Sequence, residues 1–367
     1  MKNYHFGVDA HPLCYPLTGV VQYTHELLKI LPQLGHRWTL YSHKPLLQVL
    51  PEFENARYII TGKTKNYMKP VLWSQSILPL KIHQDKLDAF WSPRNRLPLL
   101  GNKNLPMIVT VHDLVYKLFP DTVTKGSYFL ESFLLPPSVK RAKKIITVSH
   151  TTARDLHRLL AIPHEKIAVA YPGIRALCND VSSSLEHYGI NKKYILFIGT
   201  QEPRKNLSRL LVAYRALPEI LKTEFTLVLI GGKGWGKENL EMSDAIFNLG
   251  HVDEILRSTL LRKAHVLAMP SLYEGFGSPV VEAMQAGIPV LTSRQGATAE
   301  IAENAALLIN PYDVNEITQG LQRLLVEENL RTDLIKKGLE QSKKFNWEET
   351  AKIILTHLIQ VAESAPL

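Results

Sequence analysis

The sequence predicts an α/β protein built on parallel sheets, and three observations carry that prediction. Short apolar runs recur along the whole chain, several of them β-branched and apolar throughout rather than alternating. Such runs suit strands covered on both faces. Segments with apolar residues at helical spacing lie between them, and strand–helix alternation is the pattern of α/β domains. With 367 residues, the chain has room for two domains of ordinary size.

In the first half the strand runs are His5–Ala10, Trp38–His43, Arg57–Gly62, Ala89–Pro93, Met107–His112, Lys144–Ser149 and Lys166–Tyr171. In the second half they are Tyr194–Gly199, Phe225–Gly231, His265–Ser271, Ile288–Ser293 and Ala305–Asn310. Val20, Tyr23, Thr24, Leu27, Leu28 and Leu31 form one helical stripe, with Gly35 as its stop signal. Leu207, Leu210, Leu211, Tyr214 and Leu217 form a second, with Asn206 placed to cap it. Leu321, Leu324 and Leu325 belong to a third, and Ala351, Ile354, Leu355 and Leu358 mark an amphipathic segment over Trp347 to Val361. The stretch from Gly173 to Lys193 holds Pro172-Gly173 at its start, then Asn179, Asp180 and Ser182 to Ser184. It has no strong strand signal and reads as the boundary, giving domains over 1–175 and 176–347.

Composition excludes several classes. The apolar fraction is 45% and the charged fraction 21%, enough apolar material to offset chain entropy, so the chain is not a disordered one. Two cysteines, Cys14 and Cys178, make neither a disulfide framework nor a Cys-rich zinc site. The longest uncharged run, Ala10 to His25, is broken by Pro12, Pro16 and Gly19, so no transmembrane span is expected. The N-terminus shows no basic region followed by an apolar one, and a cytoplasmic location, with room for membrane association on that face, is the expectation. Charge is uneven. Residues 1–175 hold 23 Lys and Arg against 11 Asp and Glu, a net +12, while the rest holds 20 against 23, a net −3. A basic half attracts phosphates, anionic lipid or nucleic acid, or is simply a solvated surface. The segment Thr124 to Lys144 mixes Tyr128, Phe129 and Phe133 with Lys140, Arg141, Lys143 and Lys144. That composition suits a membrane-facing surface and, more simply, a helix whose terminal cations complement its dipole.

The chemistry concentrates in Pro270-Ser-Leu-Tyr-Glu274-Gly-Phe-Gly-Ser-Pro279-Val-Val-Glu282, which closes a strand run and opens a helix. Gly275 and Gly277 permit a tight turn and close backbone approach to a ligand. Pro279 suits the first position of a helix, and Gly287 its end. Glu282 is placed in the first turn, where its charge favours the helix dipole. Two acids flanking a Gly-x-Gly turn at a strand end indicate a ligand site, because ligands collect there in open α/β sheets.

This segment resembles the E-x7-E signature of retaining GT-B glycosyltransferases of family 4, with Glu274 and Glu282 as the two acids. The stretch Phe197-Ile-Gly199-Thr-Gln-Glu-Pro-Arg204-Lys205-Asn206-Leu207 is a second match, Val111-His112-Asp113 a third and Leu17-Thr18-Gly19-Val20 a fourth. Ser149, Pro172-Gly173 and Phe345-Asn-Trp347 extend the likeness over nearly the whole chain. The chain departs from the family at Val21 and Gln22, where a small residue and an Arg are frequent, and at Ser278, where Leu is frequent.

The resemblance implies two Rossmann-like domains facing a cleft, with a last helix, 348–367, crossing back to the N-terminal domain. The C-terminal domain is then the donor domain and the N-terminal one the acceptor domain. It implies that Glu282 binds the ribose of a nucleotide sugar, that Glu274 and the backbone at Gly275, Phe276 and Gly277 hold the sugar hydroxyls, and that Val252 borders the base. Arg204 and Lys205 are implied to neutralise the diphosphate with the Gly19 amide, and His112 to contact the hexose. Asp113 either orients His112 or caps the following turn. With no Asp-x-Asp in the chain, no metal and no cofactor are expected. The expected activity is transfer of a hexose, first of all mannose from GDP-mannose with UDP-sugars close behind, to a glycan or lipid-linked glycan in bacterial surface polysaccharide and lipopolysaccharide synthesis. The rivals are a nucleotide-sugar epimerase of the same architecture and a nucleic-acid-binding protein using the basic half. The latter lacks an aromatic-rich RNA motif or a basic recognition helix, so no nucleic-acid partner is expected.

Overall fold

The structure is a computed structural model that describes residues 2–61, 70–178, 185–234 and 245–364. The end of the third expected strand, Gly62, and part of the expected boundary, Asn179 to Ser184, lie outside the described residues. The chain divides into two compact units. Unit 1 comprises Met1–Leu114, Lys125–Gly173 and Asn346–Leu367, and unit 2 comprises Val115–Thr124 and Ile174–Phe345.

Among the described residues unit 1 carries seven strands: β1 His5–Asp9, β2 Arg37–Ser42, β3 Ala56–Ile60, β4 Ala89–Ser92, β5 Met107–Val111, β6 Lys144–Thr147 and β7 Ile167–Val169. They form one parallel sheet in the order β3-β2-β1-β4-β5-β6-β7. β4 and β5 are buried at every residue, which explains their unbroken apolar runs. The helix Gly19–Ile30 buries Val21, Tyr23, Thr24, Leu27 and Leu28. The helix Lys125–Arg141 ends in Lys140 and Arg141 and leaves Phe129 and Phe133 68% and 83% exposed.

The last helix, Trp347–Glu363, belongs to unit 1. Asn346 starts it, its side chain accepting the Glu349 N–H at 2.8 Å. Its buried face, Ala351, Ile354 and Leu358, packs on the helix Gly19–Ile30 and on β4, and Thr350 Oγ1 donates to the Tyr171 carbonyl at 2.5 Å. At Gly173 the backbone passes close against the start of this helix. A Cβ there would lie 2.3 Å from the Trp347 nitrogen, so no other residue fits without displacement.

Unit 2 carries β8 Lys193–Ile198, β9 Phe225–Ile230, β10 Ile246–Gly250, β11 Val266–Met269, β12 Val290–Ser293 and β13 Leu307–Ile309. They form a parallel sheet in the order β10-β9-β8-β11-β12-β13. β10 is a strand the sequence pattern does not announce. It is an edge strand, only Ile246 is buried, and its pairing is irregular between Asn248 and Gly250. An edge strand needs no continuous apolar run, so its signal is weak. In both sheets chain order reverses beside the first strand, at β1/β4 and at β8/β11. Those reversals are where open α/β sheets leave a crevice for ligands.

Candidate active site

In unit 2 the loops after β8 and β11 meet at such a reversal. β8 leads through Gly199–Glu202 and a short turn, Pro203–Lys205, into the helix Leu207–Arg215. β11 leads through Pro270–Gly277 into the helix Ser278–Gln285. The backbones are tied by the Leu272 N–H donating to the Arg204 carbonyl at 2.7 Å. Asn206 does not cap its helix by its side chain, contrary to the sequence expectation. It sits in the left-handed region at φ 61°, and its Nδ2 donates to the carbonyls of Pro270 at 2.9 Å and Pro311 at 2.6 Å. Asn suits that conformation, and its amide is worth more holding two buried carbonyls than closing a helix end.

Glu274 is the centre of the arrangement and is 6% exposed. Its Oε1 accepts from Lys205 Nζ at 2.5 Å and from Ser271 Oγ at 2.8 Å, and its Oε2 accepts from Arg204 Nη1 at 2.9 Å. Arg204 also donates Nε to Glu202 at 2.8 Å and Nη1 to the Tyr273 carbonyl at 3.2 Å. Burial by itself would raise the Glu274 carboxyl, but the Lys205 and Arg204 charges override it and hold it down to about 2. Burial likewise lowers Lys205, and the Glu274 charge opposes that shift. The two cations expected to face a diphosphate are thus oriented by the first acid of the E-x7-E pair.

The second acid lies elsewhere than its helix's first turn. The helix begins at Ser278, after Gly277 at φ 105°, so Pro279 is its second residue and Glu282 its fifth. The dipole argument for Glu282 therefore lapses, since that effect fades beyond the first turn. What holds Glu282 instead is Arg257, whose Nη2 donates to Glu282 Oε2. Gly277 needs to be glycine on two counts, its positive φ and a Cβ that would sit 3.0 Å from Thr298. Phe276 is buried edge-on against Phe345, with ring centroids 5.5 Å apart, while Gly275 is half-buried. Val252 is half-buried just beyond β10.

His112, Asp113 and Gly19 belong to unit 1. His112 follows β5, and its backbone N–H donates to Asn95 Oδ1 at 2.9 Å. Its Nε2 donates to the Pro93 carbonyl at 2.7 Å, so the proton of the neutral ring is on Nε2. Burial lowers its pKa, and Tyr23 packs edge-on to the ring at 4.9 Å. Asp113 is half-buried. Gly19 is exposed at the start of its helix, and a Cβ there would meet nothing within 4 Å. Among the described residues, neither space nor conformation within unit 1 requires glycine at that position.

Residues 17–176 match the family described as Glycosyltransferase Family 4, and residues 184–341 match Glycosyl transferases group 1. The chain is a GT-B glycosyltransferase of family 4. A relative from Escherichia coli named O-antigen chain mannosyltransferase B is 29% identical to this glycosyltransferase, over 92% of this chain and 95% of its own. O-antigen chain mannosyltransferase RfbU of Salmonella typhimurium is 27% identical over 80% of this chain and 71% of its own. Among solved structures, sucrose-phosphate synthase from Thermosynechococcus elongatus superposes with a TM-score of 0.75 at 17% identity, covering 99% of this chain and 100% of the other. That likeness shows a shared fold.

Three residues around the glycosyltransferase's acids escaped the sequence reading. Arg257 carries no motif and comes near Glu282 only because its helix, Glu254–Lys263, follows β10. Glu202 and Ser271 lie inside the matched stretches, two residues before Arg204 and three before Glu274. Their polarity beside a charged residue was the available signal.

Proposed function

We propose that this glycosyltransferase moves mannose from GDP-mannose to a glycan or lipid-linked glycan acceptor, with retention at the anomeric carbon and without a metal ion, in building a bacterial surface polysaccharide. The observation that carries the reading is the buried Glu274–Lys205 pair, with half-buried Arg204 on the same carboxylate, at the β8/β11 reversal. The names of the two mannosyltransferase relatives support the choice of sugar.

The leaving group of such a reaction is a nucleoside diphosphate, whose charge grows as the glycosidic bond breaks. Cations fixed before the reaction stabilise that charge more than they stabilise the bound donor. Glu274 fixes them, and Arg204 offers a planar fork where Lys205 offers a point charge. Glu282, held by Arg257, takes the ribose hydroxyls, and Val252 borders the base. Glu274 and the backbone of Gly275, Phe276 and Gly277 take the sugar hydroxyls. In unit 1, His112 is assigned to the hexose and the Gly19 amide to the diphosphate, with Asp113 beside His112. The acceptor hydroxyl attacks the face from which the diphosphate leaves, and a leaving phosphate oxygen takes its proton. No enzymic nucleophile is required. Exposed Phe129 and Phe133, with Lys140 and Arg141 on the same helix, support peripheral contact with an anionic membrane surface.

The test is a melting-temperature panel of GDP, UDP and ADP, followed by transfer assays with the matching mannose donor in EDTA and NMR of the product anomer. A ligand that binds only the folded chain raises its stability. A preference for GDP, activity that survives EDTA and an α-linked product from the α-linked donor are expected. Preference for UDP, a metal requirement or an inverted product each removes that part of the reading.

A further inference from the structure

Unit 1 has its own reversal of chain order, between the ends of β1 and β4, and a second charged cluster sits there. Asp9 ends β1 and is buried. It accepts Arg94 Nε at 2.8 Å and the His11 backbone N–H at 3.1 Å. Arg94 follows β4 and is itself only 8% exposed. Arg96, two residues on, comes no nearer than 3.9 Å to Glu131, too far for a hydrogen bond. Among the described residues, Arg94 Nη2, Arg96 Nε and Glu131 Oε2 are all buried without a hydrogen-bond partner. Leaving such groups unsatisfied costs free energy, so the two arginine donors, at the same end of the sheet, call for a ligand that accepts from them.

Charge decides what that ligand is. Burial, then Arg94, His43, Arg96 and Lys44, push the His11 imidazole far below its ordinary pKa. His43, whose Nδ1 lies 2.8 Å from His11 Nδ1, is lowered to about 4 by burial, Lys44 and Arg94. Both histidines are therefore neutral at pH 7. Asp9 is already engaged, and burial raises Glu131. Three cations thus stand with the engaged Asp9, with Glu131, whose ionisation burial opposes, and with Asp113, whose charge bears on Glu131. Unsatisfied guanidinium N–H donors match a phosphate, whose oxygens accept and whose charge complements the fork. The same loop serves the reaction centre, because Asn95, between the two arginines, holds the His112 backbone.

We propose that the β1/β4 end of unit 1 is a phosphate-binding subsite, where the guanidinium groups of Arg94 and Arg96 grip the phosphate of a phosphorylated sugar acceptor and Lys44 adds charge. The acceptor role rests on the transfer reaction proposed above, whereas the anion site itself does not. The phosphate is that of a sugar monoester or of a diphosphate linkage.

Calorimetric titration of the full chain with orthophosphate and with pyrophosphate, at ionic strength held constant with chloride, separates these. The proteins are the wild type, Arg96→Gln, Arg96→Lys, Lys44→Gln and Lys205→Gln, each checked by a melting curve. Pyrophosphate should find two classes of site in the wild type. Arg96→Gln should weaken one of them by about tenfold or more, Arg96→Lys by less and Lys44→Gln by about threefold, while Lys205→Gln weakens only the other. Tighter pyrophosphate than orthophosphate at the Arg96-dependent site indicates a diphosphate-linked acceptor, and the reverse indicates a monoester. Unchanged binding in folded Arg96→Gln and Lys44→Gln overturns the subsite. If Lys205→Gln alone weakens binding, the donor assignment survives without it. If Arg96→Gln alone does, the subsite stands and the donor assignment fails.

Discussion

Lys205 Nζ donates to Glu274 Oε1 at 2.5 Å, joining residues 69 apart in the chain across the adjacent ends of β8 and β11. Both side chains are buried. This pair sets the geometry of the proposed diphosphate site and makes it sensitive to acid.

The Glu274 carboxyl is held down to about 2 from an ordinary 4.5. A group depressed in the folded state contributes stability above its unfolded pKa and loses it as pH falls through the folded one. The window is therefore from about pH 4.5 down to about 2, and the shift corresponds to about 3 kcal/mol. Glu274→Gln should lose about that much at pH 7, because Lys205 stays buried without its counter-charge. Urea unfolding of both proteins from pH 7 to pH 2.5 checks it. Their stability difference should shrink towards acid, and a constant difference contradicts the assignment.

Glu282→Ala should weaken binding of the preferred nucleoside diphosphate by about tenfold or more, since a hydrogen bond to a charged group is worth about 1.5–3 kcal/mol. Arg257→Ala should weaken it less, because it loosens the acid rather than removing it. Calorimetry decides between these. Equal affinity in wild type and Glu282→Ala removes Glu282 from the ribose.

Arg204→Ala should lower turnover by about a hundredfold with a smaller change in donor KM, since its proposed value lies in charge that develops during bond breaking. Steady-state kinetics beside a melting curve provides the comparison. A variant that raises donor KM and leaves kcat intact would point to ground-state binding alone.

Ile354→Ala should destabilise unit 1 by about 2–5 kcal/mol, the range for emptying a buried aliphatic site. Ile354 is fully buried on the last helix, which packs on the helix Gly19–Ile30 and β4. Hydrogen exchange read by mass spectrometry should show faster exchange in 5–60, 89–114 and 125–170, with unit 2 unchanged. Exchange rising only in unit 2 would contradict the placement of this helix.

Much of the molecule is legible in local pattern. Among the described residues, the central strands announce themselves as apolar runs, because a strand covered on both faces must be apolar whatever its neighbours are. The two acids, the basic pair and the glycines also stand out, since turns and close approach demand specific residue types at fixed spacing. Partners are another matter. That Lys205 and Arg204 meet Glu274, that Arg257 meets Glu282 and that Arg94 meets Asp9 depends on which strands lie side by side. β8 pairs with β11, and β1 with β4, across long stretches of chain. Asn206 looks like a helix cap in one dimension and becomes a tie between two loops in three. Burial depends on a residue's own chemistry and can be read one position at a time. An ion pair is a property of two positions, and only the folded sheet order brings them together.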